Sequence, residues 1–287
     1  MRWIMGFIFA ILIVPEALSA DLINDPADLS KWIRKEPPKK GDGRWRTANA
    51  SDYQWVVMLR ENRPSARLRA TKRTKDSTDP ERQESYPLMP FTVPHGSAKE
   101  DLAGEWFSVQ VSNGWIIGFN AGEFGAGLWW FSPDGKKREK ISEDQVIGFF
   151  ETGAGLLALE GIAHGTRSVG RIARLAKGED GHWHSELFVD LKGAPETAVK
   201  SADGTLTVAT LDRLLRVHLD TRKIDVLLNE AFWGGLYPTS MILTPSGSIF
   251  LGMRHGVVEV EKIGTVYKAN WLIPNPDFDR ILPPGFR

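Results

Sequence analysis

Two histidines, His164 and His255, and three carboxylates, Glu123, Glu160 and Asp212, are the side chains of this 287-residue chain whose types could do chemistry. Histidine titrates near neutral pH and needs a neighbouring charge to orient its ring, so histidine beside carboxylate offers a general base or a metal ligand. Asn120 with Glu123 and Asp212 supplies the oxygen donors that a calcium ion takes. Around them stand three cations, Arg167, Arg213 and Arg254, and Trp233, which precedes Gly-Gly. His182 and His184, two apart on a strand, point the same way, which suits a metal, but no third ligand is near in sequence. All of these residues fall in turns or links, where polar side chains facing water are ordinary, so solvation explains the same set without chemistry.

No local motif decides between the two. Gly-x-Ser-x-Gly is absent, as are a Walker loop and a dinucleotide fingerprint, and the glycines sit in hairpins with no helix to receive a phosphate.

What must position these residues is a repeat. Asn113-Gly-Trp-Ile-Ile-Gly-Phe, Gly153-Ala-Gly-Leu-Leu-Ala-Leu, Asp203-Gly-Thr-Leu-Thr-Val-Ala and Ser246-Gly-Ser-Ile-Phe-Leu-Gly recur about 40 to 50 residues apart. Each is followed by a second apolar strand: Gly127-Leu-Trp-Trp-Phe, Val169 to Leu175, Leu214 to Leu219 and Gly256 to Glu261. This period is that of propeller blades, each a four-stranded antiparallel sheet. The third repeat predicts strands over Thr197 to Lys200, Leu206 to Leu211, Leu214 to Asp220 and Ile224 to Leu228. The turn sequences Ser132-Pro-Asp-Gly135, Ser201-Ala-Asp-Gly204 and Thr244-Pro-Ser-Gly247 follow type I preferences. In the first repeat the turn joins the third and fourth strands; in the other two it joins the first and second.

Ser132-Pro-Asp-Gly-Lys-Lys137 resembles the turn of the WD40-like repeats of TolB-type propellers, and the strand pattern is similar to YVTN and NHL-type propellers. The resemblance covers roughly Trp106 to Lys262 and implies an all-β propeller. Before residue 106 the pattern fades. Tyr53 to Leu59 with Ser65 to Ala70 reads as a hairpin, Phe91-Thr-Val as the opening of another strand, and Thr71 to Pro87 as a charged surface loop. The strand-poor stretch from Pro274 to Gly285 either packs on the rim or completes a blade begun at the N-terminus.

Residues 1–20 read as a secretory signal: Arg2, the apolar run Ile4 to Val14, then a small-residue end near Ala20. That run is too short to span a bilayer. Zero formal net charge gives no whole-molecule field for nucleic acid or for an anionic membrane surface, so any partner must be read from local features. With no cysteine, stability in an oxidising compartment must come from the core. The basic run Arg60 to Lys75 suits an anionic polymer, although Asp76 to Glu84 follows directly and weakens its field. Trp115 and Trp129 are expected between blades; Trp130 points the opposite way to Trp129 and is a candidate for a partner surface.

The expected protein is therefore a single propeller over residues 21–287, of five or six four-stranded blades, periplasmic or secreted. Loops between second and third strands, with the links between blades, share one face. The residues expected there are Asn120, Glu123, Glu160, His164, Arg167, Asp212, Arg213, Trp233, Arg254 and His255. One reading makes that face the binding surface of a non-enzymatic scaffold for a protein or cell-envelope component, with no cofactor. The other makes it the site of a hydrolase or lactonase that uses calcium or another divalent ion.

Overall fold

The computed structural model describes residues 27–69, 89–94, 96 and 101–279. Residues 1–20, expected to be a secretory signal, and the charged stretch Thr71 to Pro87 lie outside the described residues.

The chain runs β1 (Ala27–Asp28), β2 (Ile33–Lys35), α1 (Gly43–Asn49), β3 (Gln54–Arg60) and β4 (Arg63–Arg69) before the repeats begin. The first repeat gives β5 (Glu105–Val111), β6 (Gly114–Asn120), β7 (Ala126–Phe131) and β8 (Arg138–Ser142). The second gives β9 (Val146–Thr152), β10 (Gly155–His164), β11 (Arg167–Lys177) and β12 (Trp183–Asp190). The third gives β13 (Pro195–Lys200), β14 (Thr205–Thr210), β15 (Leu214–His218) and β16 (Ile224–Leu228). The fourth gives β17 (Ser240–Leu243), β18 (Ile249–Gly252), β19 (Val257–Ile263) and β20 (Val266–Ile273).

These strands form five antiparallel sheets. Three have four strands in sequence order, one is β1-β4-β3, and the last is β17-β18-β19-β20-β2. The first strand of each sheet lies against the first strand of the next, β5 on β9, β9 on β13, β13 on β17 and β17 on β3. At the remaining junction Arg69, ending β4, reaches Glu105, opening β5, at 3.4 Å. Among the described residues the fold is a propeller of five blades: one (β1, β3 and β4), two (β5 to β8), three (β9 to β12), four (β13 to β16) and five (β17 to β20 with β2).

Closure is made from the N-terminus. β2 pairs outside β20, Ile33 opposite Ile273, and Arg34 clamps it there through Glu259 at 2.6 Å and Glu261 at 2.8 Å. The C-terminal turn packs on the ring, with Phe278 against Tyr53, Trp55 and His255. Phe91 does not open a strand; its ring stacks on Phe131 at 5.8 Å and covers Gly135, whose φ of +70° the turn requires.

Middle strands are covered by a blade on each face: β14 and β18 are buried along their whole length, β14 with Thr205, Thr207 and Thr210 among its apolar residues. Outer strands β8, β12 and β16 each carry one extra residue against their partner, Ile141, Phe188 and Leu227. Such bulges twist the blade's outer edge, and here each brings one more apolar side chain against the core. Trp115 is buried and Trp129 packs partly buried in the same cluster; Trp130 is also part of a blade core, next to Ile116 and Leu128.

A glycine recurs in the second strand where the next blade's first strand crosses. A Cβ on Gly118 would fall on Val146, on Gly252 on the Trp55 carbonyl, and on Gly161 within 2.5 Å of the Pro195 ring. Gly161→Ala is accordingly expected to lower stability by about 1–3 kcal/mol, the usual cost of overfilling a packed contact. Thermal melting would read this as a drop of several degrees, and an unchanged midpoint would remove the close-crossing explanation.

Candidate functional site

The turns β6–β7, β10–β11, β14–β15 and β18–β19 open on one end of the ring, together with the links between blades. The structure divides this loop end into a covered part and an open part.

Over blades four, five and one the loops are capped. Asp42 accepts from Trp45 N at 2.7 Å and starts α1. The helix then docks on the link after β16: Trp45 Nε1 donates to Phe232 O at 3.0 Å and Asn49 Nδ2 to Gly235 O at 2.6 Å. Trp233 is fully buried and donates through Nε1 to Thr210 O at 2.8 Å. His255 is buried, with a ring nitrogen on the Phe278 carbonyl. Arg254 stacks on Tyr237 at 4.6 Å and donates to Asn49 O at 2.8 Å. Trp233 and His255, expected on the exposed face, are core residues, because α1 and the C-terminal turn close over them. Arg254 is spent on holding that cap.

Arg213 is corrected similarly. One of its Nη atoms donates to the carbonyls of Leu191 and Lys192 at 3.1 and 2.6 Å, stapling the β12–β13 link, while Asp212 stays over half exposed, 3.5 Å from Arg213 Nε.

Between blades two and three the end is open, and here β10 and β11 run on past the sheet as an overhanging hairpin. Its rungs alternate by face. Gly161 opposite Gly170 and Ala163 opposite Ser168 form the back. A Cβ on Gly170 would meet the Gly193 carbonyl and the Pro195 ring, and Ala194 N donates to Ser168 Oγ at 2.9 Å. The glycine pair is what lets the Arg213-stapled link lie flat against the hairpin and fix its angle.

The front carries Glu160 opposite Arg171, Ile162 opposite Val169 and His164 opposite Arg167. It faces the short 3-10 turn Gly122–Phe124 of blade two. Asn120 accepts from Gly122 N at 2.9 Å and Gln145 donates to Gly122 O at 3.0 Å, so both set this turn. Together they enclose an open hollow of about 440 Å³, lined by Glu123, Phe124, Ile162, His164 and Arg167. His164 Nδ1 stands 2.5 Å from Glu123 Oε2. Phe124 is 70% exposed and Val169 41%. Arg167 has no partner among the described residues.

Glu160 is corrected from a loop position to the base of the hairpin. It is 1% exposed, and Arg171 Nε donates to its Oε2 at 2.7 Å. The same guanidinium reaches Asp144 in the β8–β9 link at 2.8 Å and Ser185 on β12 at 3.3 Å. Burial pushes the Glu160 carboxyl up to about 7 against the pull of Arg171. Arg171 thus ties the hairpin, its blade and the preceding link at one point.

Of the ten expected residues, the structure brings Glu123, His164 and Arg167 to one hollow, with Asn120 shaping its wall and Glu160 anchoring its floor. Asn120 and Glu123 stand on blade two and Asp212 on blade four, so the oxygen set considered for calcium is dispersed. Among the described residues no three of His, Cys, Asp and Glu come together as a metal-binding group. His182 and His184 turn to different carboxylates, Glu139 at 2.8 Å and Asp180 at 3.0 Å.

A second carboxyl is perturbed by burial alone: Glu196, the extra residue in β13 opposite β14, is pushed up to about 7. Its folded pKa exceeds the unfolded value, so its contribution is best at acid pH and is lost as pH rises from about 4.5 through 7. Glu196→Gln should therefore match the parent near pH 4 and be more stable at pH 8, by at most about 3 kcal/mol. Melting curves at the two pH values check this; equal shifts at both would place the effect elsewhere.

No protein-family model matches the chain. Nor does any curated protein. Among solved structures it is similar to the virginiamycin B lyase of Staphylococcus aureus, at 15% identity and a TM-score of 0.39, over 60% of this chain and 57% of that one. It is similar to TolB of Acinetobacter baumannii at 12% identity and 0.37, over 59% and 43%. An auxiliary nutrient binding protein of Bacteroides thetaiotaomicron aligns at 10% identity and 0.34, over 54% and 38%. The chain thus spans less than two thirds of the length of each.

Proposed function

We propose that this protein is a non-enzymatic binding scaffold that holds a protein component of the cell envelope in the hollow between its second and third blades. The observation that supports this reading most is Phe124, a large aromatic held 70% exposed on the Gly122–Phe124 turn that faces the braced hairpin. Exposing such a ring costs solubility, and it sits in the arrangement of an interface anchor: apolar Ile162 and Val169 beside it, a charged rim of Glu123, His164 and Arg167 around it. The bracing favours binding too, since a preformed site loses less freedom on association. The apolar run Ile4 to Val14 with Arg2 before it supports a periplasmic or secreted setting.

The test is retention of an envelope protein from solubilised envelope fractions. Immobilised parent and the control Val226→Ser, altered on the outer edge of blade four, should both retain it, and Phe124→Ala/Arg167→Ala should not. Equal retention by all three would put the binding surface elsewhere.

A further inference from the structure

The opposite end of the ring carries a second exposed apolar cluster, independent of the hollow. β3 begins beside Arg254, where Gln54 bridges to it, and β19 begins three residues later at Val257. Both strands therefore start at the loop end and run to the far end, where the hairpins β3–β4 and β19–β20 turn. Their blades are neighbours, since β3 packs on β17 and β18.

At these two tips Leu59 is 42% exposed, Ile263 55% and Val266 63%. Ile263 pairs with Val266 on the outermost rung of β19–β20, and Leu59 pairs with Pro64 one rung inside the Arg60–Arg63 rung that ends β3–β4. Tyr267, opposite Lys262, stands one rung inside. Lys262, opposite Tyr267, and Arg63, opposite Arg60, are exposed beside these rungs, and neither has a side-chain hydrogen bond or ion pair among the described residues; the exposed Glu61 in the β3–β4 turn offsets one of the cations there. Three other turns of this end, Ser132 to Gly135, Gly178 to Gly181 and Ser201 to Gly204, are polar, with Asp134, Asp180 and Asp203 held by local hydrogen bonds. Among the described residues, the large apolar side chains exposed near the hairpin turns of this end are Leu59, Ile263 and Val266, on blades one and five.

We propose that this end docks on an anionic lipid bilayer surface, Leu59, Ile263 and Val266 entering the headgroup boundary while Arg63 and Lys262 meet lipid phosphates. Shallow apolar insertion beside basic side chains is how interfacial segments hold a charged membrane without spanning it. Lying opposite the hollow, the contact would leave the proposed partner site facing away from the lipid.

The chain has no cysteine, so a single Val266→Cys variant of the full chain takes one environment-sensitive dye at the tip. With vesicles of mixed phosphatidylglycerol and phosphatidylcholine the dye emission should move to the blue, and a dye at Val226→Cys should not respond. Adding Arg63→Glu and Lys262→Glu to the tip variant should raise the lipid concentration for half response at least tenfold. Contact through the apolar run Ile4 to Val14 would leave the tip dye silent, so the readout separates the two. Silence at position 266, or an equal response to pure phosphatidylcholine, would overturn the proposal. A response to soluble polyglutamate but not to vesicles would overturn it in favour of an acidic protein.

Discussion

Arg171→Leu is expected to cost about 3–5 kcal/mol at pH 8, because it leaves Glu160 buried without its counter-charge. Glu160 is 1% exposed, and its second oxygen, Oε1, has no hydrogen-bond partner even in the parent. In the parent, burial has already pushed its pKa from 4.5 to about 7 with Arg171 in place. The folded carboxyl thus holds its proton more tightly than the unfolded one, so stability is highest at acid pH and declines as pH rises from about 4.5 through 7. Without Arg171 the folded pKa moves higher still. The defect of the variant should then be largest above pH 7 and shrink towards pH 5, where Glu160 enters the fold protonated. A drop in melting midpoint of roughly 10 °C at pH 8, at 2–4 °C per kcal/mol for a domain this size, is the scale to look for. A deficit independent of pH would mean that Arg171 acts by packing alone. Because Asp144 and Ser185 share the guanidinium, the hairpin should also loosen, seen as faster amide exchange over residues 161–170.

Phe124→Ala should weaken binding of the partner about 30-fold or more while leaving the melting midpoint unchanged. A large aromatic in the centre of an interface, ringed by polar groups that exclude water, typically contributes 2 kcal/mol or more on truncation. At 70% exposure the ring contributes little to folding, which separates this variant from Arg171→Leu. Arg167→Ala should act differently. A rim cation mainly sets the association rate, so its effect should be a smaller one that fades as salt is added. If Phe124→Ala binds as the parent does, the hollow is not the anchor.

The architecture was largely legible in the sequence, since middle strands buried on both faces are mostly apolar, as Ile116 to Phe119 are and as Leu206, Val208 and Ala209 are around Thr207. The third repeat's strands match to within two residues at each end. The site was legible only in part. Superposing the repeats treats every loop as equivalent, yet a cap built from non-repeating chain removes Trp233, Arg254 and His255 from the open face. Asp42, an N-cap side chain ahead of Gly43-Arg-Trp, was the signal for the helix in that cap. Repeat register alone places Glu160 in a loop, because the second repeat's hairpin extends beyond the others; Gly170, opposite Gly161 where Gly118 faces Leu128 and Gly252 faces Val257, marks that extension. Phe124 falls with Asn120 and Glu123 in the β6–β7 turn and Val169 in an apolar strand, and residue type alone does not reveal the exposure that makes the hollow a candidate binding surface.

The most direct test of the account is site-specific photo-crosslinking in cells that make the protein. A benzoylphenylalanine replacing Phe124 is expected to give one discrete protein adduct, and the same group at Val226 none. Adduct yield at position 124 no greater than at 226 would contradict the assignment of the blade two–three hollow as the binding site.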